Sequence, residues 1–227
     1  MTQRWIVAPR RSAAAIAVAA AALAGCGNAL ATAPSVPASV ARQSAIDRYS
    51  AIARARYDKE VSGQAVQTQL RRVGNDPVLL RDLRSGDTAA LRSYVTSRFN
   101  QLWYHWHVSR MRIVRGNSTL IEVGVPFALA TSQRQLRDAR GKVIATLVIS
   151  VQDEIGIVKA MHRHYPVDVV IRGTRPGHVV TLLPAAAHAT LPARGTTVIA
   201  GHRYLVRSFQ RQAFGGEPVT VWLLVRG

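Results

Sequence analysis

The sequence predicts an α+β fold, with long N-terminal helices followed by an antiparallel sheet of about five to six strands. From Ser39 to about Leu102 apolar residues recur at three- and four-residue steps, the period of an amphipathic helix. Beyond Trp106 the period falls to two, and Gly/Pro turns punctuate it. A chain of 227 residues, 48% hydrophobic and 19% charged, has enough apolar side chain for a packed core and is not a disordered polymer.

Each element follows from local chemistry. Ile46, Tyr49, Ile52, Ala53 and Tyr57 share one face of a first helix, and Val66, Leu70 and Val73 continue the period after Gly63. Asn75-Asp76-Pro77 combines an N-cap with proline at the first helical position, so a short helix runs from Val78 to Arg84 and Gly86 closes it. Asp87 caps the next helix, whose stripe is Leu91, Tyr94, Val95, Phe99 and Leu102. Strands are expected over His107–Val114 and Leu120–Val125, joined by the loop Arg115–Thr119. Pro126–Arg140 reads as a loop with one helical turn, and Lys142–Val151 as the longest strand. Ile155, Val158 and Met161 return to helical spacing, with Asp153 as their cap. Strands over Val167–Arg172, His178–Leu183, His202–Phe209 and Val219–Val225 complete the chain.

Residues 1–25 read as an address. Arg4, Arg10 and Arg11 precede the apolar run Ala13–Leu23, and Leu23-Ala24-Gly25-Cys26 follows as a lipobox. The run is about half the roughly 20 residues that a membrane-spanning helix needs. Cys26, the only cysteine, is therefore expected to carry the lipid and to become the first mature residue. A lone cysteine also excludes an intramolecular disulfide and multi-cysteine zinc or iron–sulfur sites. Residues 26–38 read as a tether, 39–104 as a helical segment and 105–227 as the sheet domain, with 39–227 forming one globular unit. Whether export is Sec or twin-arginine stays open, because Ser12 and Ala13 follow the arginine pair.

The chain carries 30 Lys+Arg against 12 Asp+Glu, net +18, and removal of residues 1–25 leaves 202 residues at +15. In an exported chain such a charge points to anionic headgroups and wall polymers and not to nucleic acid. The expected partner is thus the membrane, through the lipid, on its outer face.

The order of a long helix, the strand Val108–Arg115 with its hairpin, the strand Gly141–Ser150, a short helix and two more strands resembles the extracytoplasmic Cache sensor domains, PAS-like modules of bacterial receptors. The resemblance covers about Val66–Val225. Many Cache domains that bind amino acids carry an Arg-x-Trp-Tyr segment after the long helix; here Trp103-Tyr104-His105-Trp106 keeps the aromatics, with Gln101 in the arginine position. The resemblance implies a non-catalytic sensor for a small carboxylate or amino-acid-like ligand. Since Cache receptors usually continue into a transmembrane helix and an output domain, it also implies a separate membrane signalling partner. The competing class is an interaction or scaffold lipoprotein of the cell envelope with no small ligand.

Alternation places Val143, Ala145, Leu147, Ile149 and Val151 on an apolar face expected to pack on the long helix. Ile144, Thr146, Val148, Ser150 and Gln152 form the other face, a mixed surface suited to a pocket wall. Thr146, Ser150 and Gln152, with Arg112 from the hairpin and Tyr104 from the helix end, are expected to converge on one ligand site, Arg112 gripping a carboxylate. The pairs His105-x-His107 and His162-x-His164 do not combine with acids at ligand spacing, so no metal is expected. No nucleophile elbow, phosphate loop or zinc-protease motif is present, and no cofactor is implied.

Overall fold

A computed structural model describes residues 38–227; the expected signal, lipobox and most of the tether lie outside the described residues. Helix α1 (Ala38–Ser62) buries Ile46, Tyr49, Ala53 and Tyr57 along one stripe. Gly63 then separates it from α2 (Gln64–Gly74). A Cβ on Gly63 would lie 2.4 Å from the Lys59 carbonyl oxygen, whose hydrogen bond from Gly63 N ends the first helix, so only glycine makes this junction. Helix α3 (Pro77–Ser85) opens with Asp76 accepting from Val78 N at 2.9 Å and closes on Gly86 at φ 75°. Helix α4 (Thr88–Trp106) is capped by Asp87, which accepts from Ala90 N at 2.9 Å.

The first sheet has the order β2-β1-β4-β3, built from β1 (Arg110–Arg115), β2 (Ser118–Gly124), β3 (Ala128–Arg137) and β4 (Val143–Asp153), all antiparallel. The β1–β2 turn is tighter than expected, with only Gly116 and Asn117 between the strands. On the inner face Met111, Ile113, Ile121, Leu136, Ala145, Leu147 and Ile149 form one apolar core with α2, α3 and α4. The apolar face of β4 therefore shares its core with α2, α3 and α4, the last being the long helix that precedes β1.

Asp153 ends β4 and caps α5 (Glu154–His164) by accepting from Gly156 N at 2.8 Å. Beyond it β5 (Asp168–Arg172), β6 (Val179–Thr181), β7 (Arg194–Ile199), β8 (His202–Gln212) and β9 (Pro218–Arg226) make a second antiparallel sheet of order β6-β5-β9-β8-β7. Helices α1 and α5 cover it, through Ile46, Tyr49, Ala53, Ile157, Val158 and Met161 against Val169, Ile171, Val221 and Leu223.

The fold is α+β with helices first and antiparallel strands after. Among the described residues nine strands divide into sheets of four and five, where the sequence suggests one sheet of about five to six. The division follows from α5: after Asp153 the chain leaves the first sheet, and β5 pairs with β9 instead of returning to β4. Among the described residues no helix is long and apolar enough to cross a membrane.

Candidate functional site

The outer face of the first sheet, opposite the helices, carries the polar chemistry. Register places Glu122, Arg112, Val148 and Gln133 in one row across β2, β1, β4 and β3, with Arg110, Ser150 and Thr131 in an adjacent row. Arg112 grips Glu122 with two hydrogen bonds, Nε and Nη2 each at 2.9 Å from a carboxylate oxygen, and Arg110 Nη2 reaches the same carboxylate at 2.6 Å. Burial alone would raise the Glu122 pKa, but the hydrogen bond from Arg112 and the charge of Arg110 outweigh it and hold the group below the usual carboxylate value.

The second sheet closes onto this row through the β8–β9 loop. Phe214 packs on Ala128 and Val148, and the guanidinium groups of Arg110 and Arg112 lie 5.0 and 4.9 Å from its ring centroid. Its N–H donates to the Ala128 carbonyl at 2.9 Å. Tyr57 of α1 ties the same region, accepting from Ala130 N at 3.0 Å and donating to Gln212 O at 2.6 Å.

These elements leave a cavity of about 700 Å³, bounded by Tyr57 and Val61 of α1, Arg112 and Val114 of β1, Thr131 and Gln133 of β3, Val148 of β4 and the end of β8 with its loop. Arg211 stands at its edge in a two-point pair with Asp58, both contacts at 3.0 Å. Thr131 Oγ1 is buried and has no hydrogen-bond partner among the described residues. Arg112 keeps Nη1 outside its pair with Glu122.

The five residues expected to converge do not. Arg112 borders the junction cavity, whereas Gln152 lines a second cavity of about 520 Å³ near the end of α4, its amide donating to Asp153 O at 2.9 Å. Tyr104 is 79% exposed beside a shallow hollow formed with Phe99, Trp103 and Val125. Ser150 is 0% exposed; its hydroxyl donates to the Leu129 carbonyl and accepts from Gln152 N at 3.1 Å, with Ser109 Oγ 3.1 Å away, so the chain's own groups absorb it. Thr146 is half-buried between Val114 and Gln135 and borders none of these cavities. The physical reason is that β4 is an interior strand of its sheet: its polar face meets β3, Phe214 and the loop at different depths along its length.

Thr131, Gln133, Tyr57 and the β8–β9 loop are site residues that the sequence does not single out. Alternation of Thr131, Gln133 and Gln135 within Pro126–Arg140, and the flexible pair Gly215-Gly216 after an aromatic residue, are the signals that point to them. A second polar cluster lies in the other sheet. Glu217, buried, accepts from Thr174 N at 2.8 Å and Arg175 N at 3.0 Å and sits 2.7 Å from His178 Nδ1. Burial opposes its ionisation, yet the hydrogen bonds from Arg175 N, His178 and Thr174 N hold its pKa below the ordinary value. Among the described residues no group of three or more His, Cys, Asp and Glu is placed to hold a metal ion.

This architecture matches that of a known extracytoplasmic domain. The periplasmic domain of LuxQ from Vibrio cholerae superimposes with a TM-score of 0.53 at 11% identity, over 80% of this chain and 100% of that one. The two share a fold. The sensor domain of the histidine kinase DctB, also from Vibrio cholerae, aligns over 83% of this chain and 96% of its own, with a TM-score of 0.48 and 12% identity. No protein-family model matches the sequence, and no curated protein matches it significantly.

Proposed function

We propose that this chain is an extracytoplasmic sensory domain, held to the outer face of the cell membrane by lipid on Cys26, that binds a small carboxylate or amino-acid-like ligand without transforming it. The cavity between the outer face of the first sheet, α1 and the β8–β9 loop supports this reading most. It offers Arg112 Nη1 for an anionic group and an unpartnered Thr131 hydroxyl inside a space of about 700 Å³, the size range of small-molecule sites. A ligand there touches three elements at once, so it favours the arrangement in which they fit it, and a membrane signalling partner reads that shift. The Cache resemblance and the shared fold with the LuxQ periplasmic domain agree with a sensory role.

A thermal-shift screen of the purified protein against small carboxylates, amino acids and amines tests it, with a rise of a few degrees expected for at least one compound. Calorimetry on that compound should then show Arg112→Ala weakening an anion by about 1.5–3 kcal/mol, with Thr131→Val weakening it less. No shift with any compound, or unchanged affinity in both variants, moves the function away from this cavity. For the anchor, Cys26→Ser should release the protein from membranes; retention after a high-salt wash overturns that part, since salt removes attraction through charge alone.

The scaffold alternative has one observation in its favour. Both arginines beside the cavity, Arg112 and Arg211, are already paired with carboxylates of the chain itself.

A further inference from the structure

We propose that the second cavity, at the C-terminal end of α4, binds an organic cation with a methylated ammonium head, held against Trp103 and Trp106 with Glu60 as its counter-charge. The site shares no lining residue with the junction cavity, so the proposal stands apart from the function argued above.

The chain has four tryptophans, and two of them line this space of about 520 Å³. Trp103 keeps 37% of its surface exposed and Trp106 keeps 46%, so neither ring is consumed by the core. Such large apolar rings left facing a concavity are what a ligand covers. Trp106 already shows its preference: the Arg72 guanidinium lies 5.2 Å from its ring centroid, covering one face with a cation.

Charge points the same way. The lining holds two carboxylates, Glu60 and Asp153, against Arg56, with Arg72 on the outer face of Trp106, so the site is near neutral in a chain of net charge +18. Asp153 spends one oxygen on capping α5 and leaves the other outside that bond. Glu60 is half-buried and has neither an ion pair nor a hydrogen bond among the described residues, although Arg56 stands one helical turn before it. Its carboxylate is therefore not committed to any group of the chain and can face a bound cation.

The walls select the kind of cation. Glu60 and Asp153 can each accept from an N–H, but the wall formed by Trp103, Trp106, Ala65 and Val151 presents no acceptor, so a primary ammonium seated against the rings leaves donors unmet. A methylated head needs no hydrogen bonds and spreads its charge over methyl groups that fit an aromatic face.

The test is a titration of choline into the full chain at fixed ionic strength, followed by tryptophan fluorescence and calorimetry. Beside it runs the uncharged carbon isostere of choline, in which a tert-butyl group replaces the trimethylammonium. Saturable binding of choline is expected, with the isostere about tenfold weaker, and Glu60→Gln or Trp106→Leu each weakening choline by about three- to tenfold. Glu60→Gln should leave the melting temperature unchanged, which keeps the test sound if Trp106→Leu folds poorly. Absence of saturable choline binding overturns the proposal, and so does equal affinity for the isostere or full affinity in Glu60→Gln.

Discussion

Ala145, Leu147 and Ile149 on one face of β4 pack in an apolar core with α2, α3 and α4, whereas Val148 and Ser150 on the other meet Phe214 of the β8–β9 loop and the backbone of β3. Both faces exclude water in the middle of the strand. Alternation thus reports which face is apolar, while burial depends on what the rest of the chain lays over each. The second sheet extends the contrast: its buried polar closure is ionic, at Glu217, where that of the first is a neutral hydroxyl.

Substitutions can break this comparison. Leu147→Ala should cost the most, about 2–5 kcal/mol by denaturant unfolding, since the side chain is wholly buried among apolar neighbours. An effect below that of any outer-face change would show that the helices do not hold the first sheet. Glu217→Gln should come next, at about 1–3 kcal/mol near neutral pH, because it takes a charged acceptor from His178. Its native pKa is depressed, so the carboxylate stabilises the fold above the ordinary value of 4.5 and that contribution is lost as pH falls through the folded pKa. Melting temperature against pH should therefore fall less steeply on the acid side in Glu217→Gln, and an identical acid limb would remove the ionic half of the comparison.

Ser150→Ala should cost about 1–3 kcal/mol with no acid dependence of its own, because Gln152 N and the Leu129 carbonyl lose a buried partner. Thr146→Ala, half-buried on the same face, should stay within about 0.5 kcal/mol. Equal costs for Ser150 and Thr146 would mean that the outer face is not closed at Ser150.

Much of the fold was legible where local chemistry decides it. The caps Asp76, Asp87 and Asp153 each accept from the helix they were expected to open, and the strands from Val167 onward lie close to their expected places. Two strands escaped. In β3, Thr131-Ser132-Gln133-Arg134-Gln135 is polar on both faces, since β3 is an edge strand whose pairing to β4 supplies its order. In β7, Gly195 and two threonines carry too little apolar alternation to stand out. The candidate sites were less legible, because cavities arise where Tyr57, Thr131 and the β8–β9 loop meet, and these are far apart in sequence.

The Tyr57 hydroxyl has a mechanical meaning. From Tyr57 back to Ala38, α1 is an arm of about 30 Å at 1.5 Å per residue. Ile46, Tyr49 and Ala53 fix that length to the second sheet, and near its C-terminal end the Tyr57 phenol joins β3, through Ala130 N, to the end of β8, through Gln212 O. Ala130 sits at φ 50°, an uncommon conformation without glycine, so the hydroxyl that receives its N–H also keeps a reluctant backbone in place. Burial pushes the phenol pKa from 10.0 up to about 12, so the proton that this junction needs is present throughout the neutral and acid range. The contribution to stability fades only as pH climbs from 10 towards 12, so alkali, not acid, loosens the junction of the two sheets at this point.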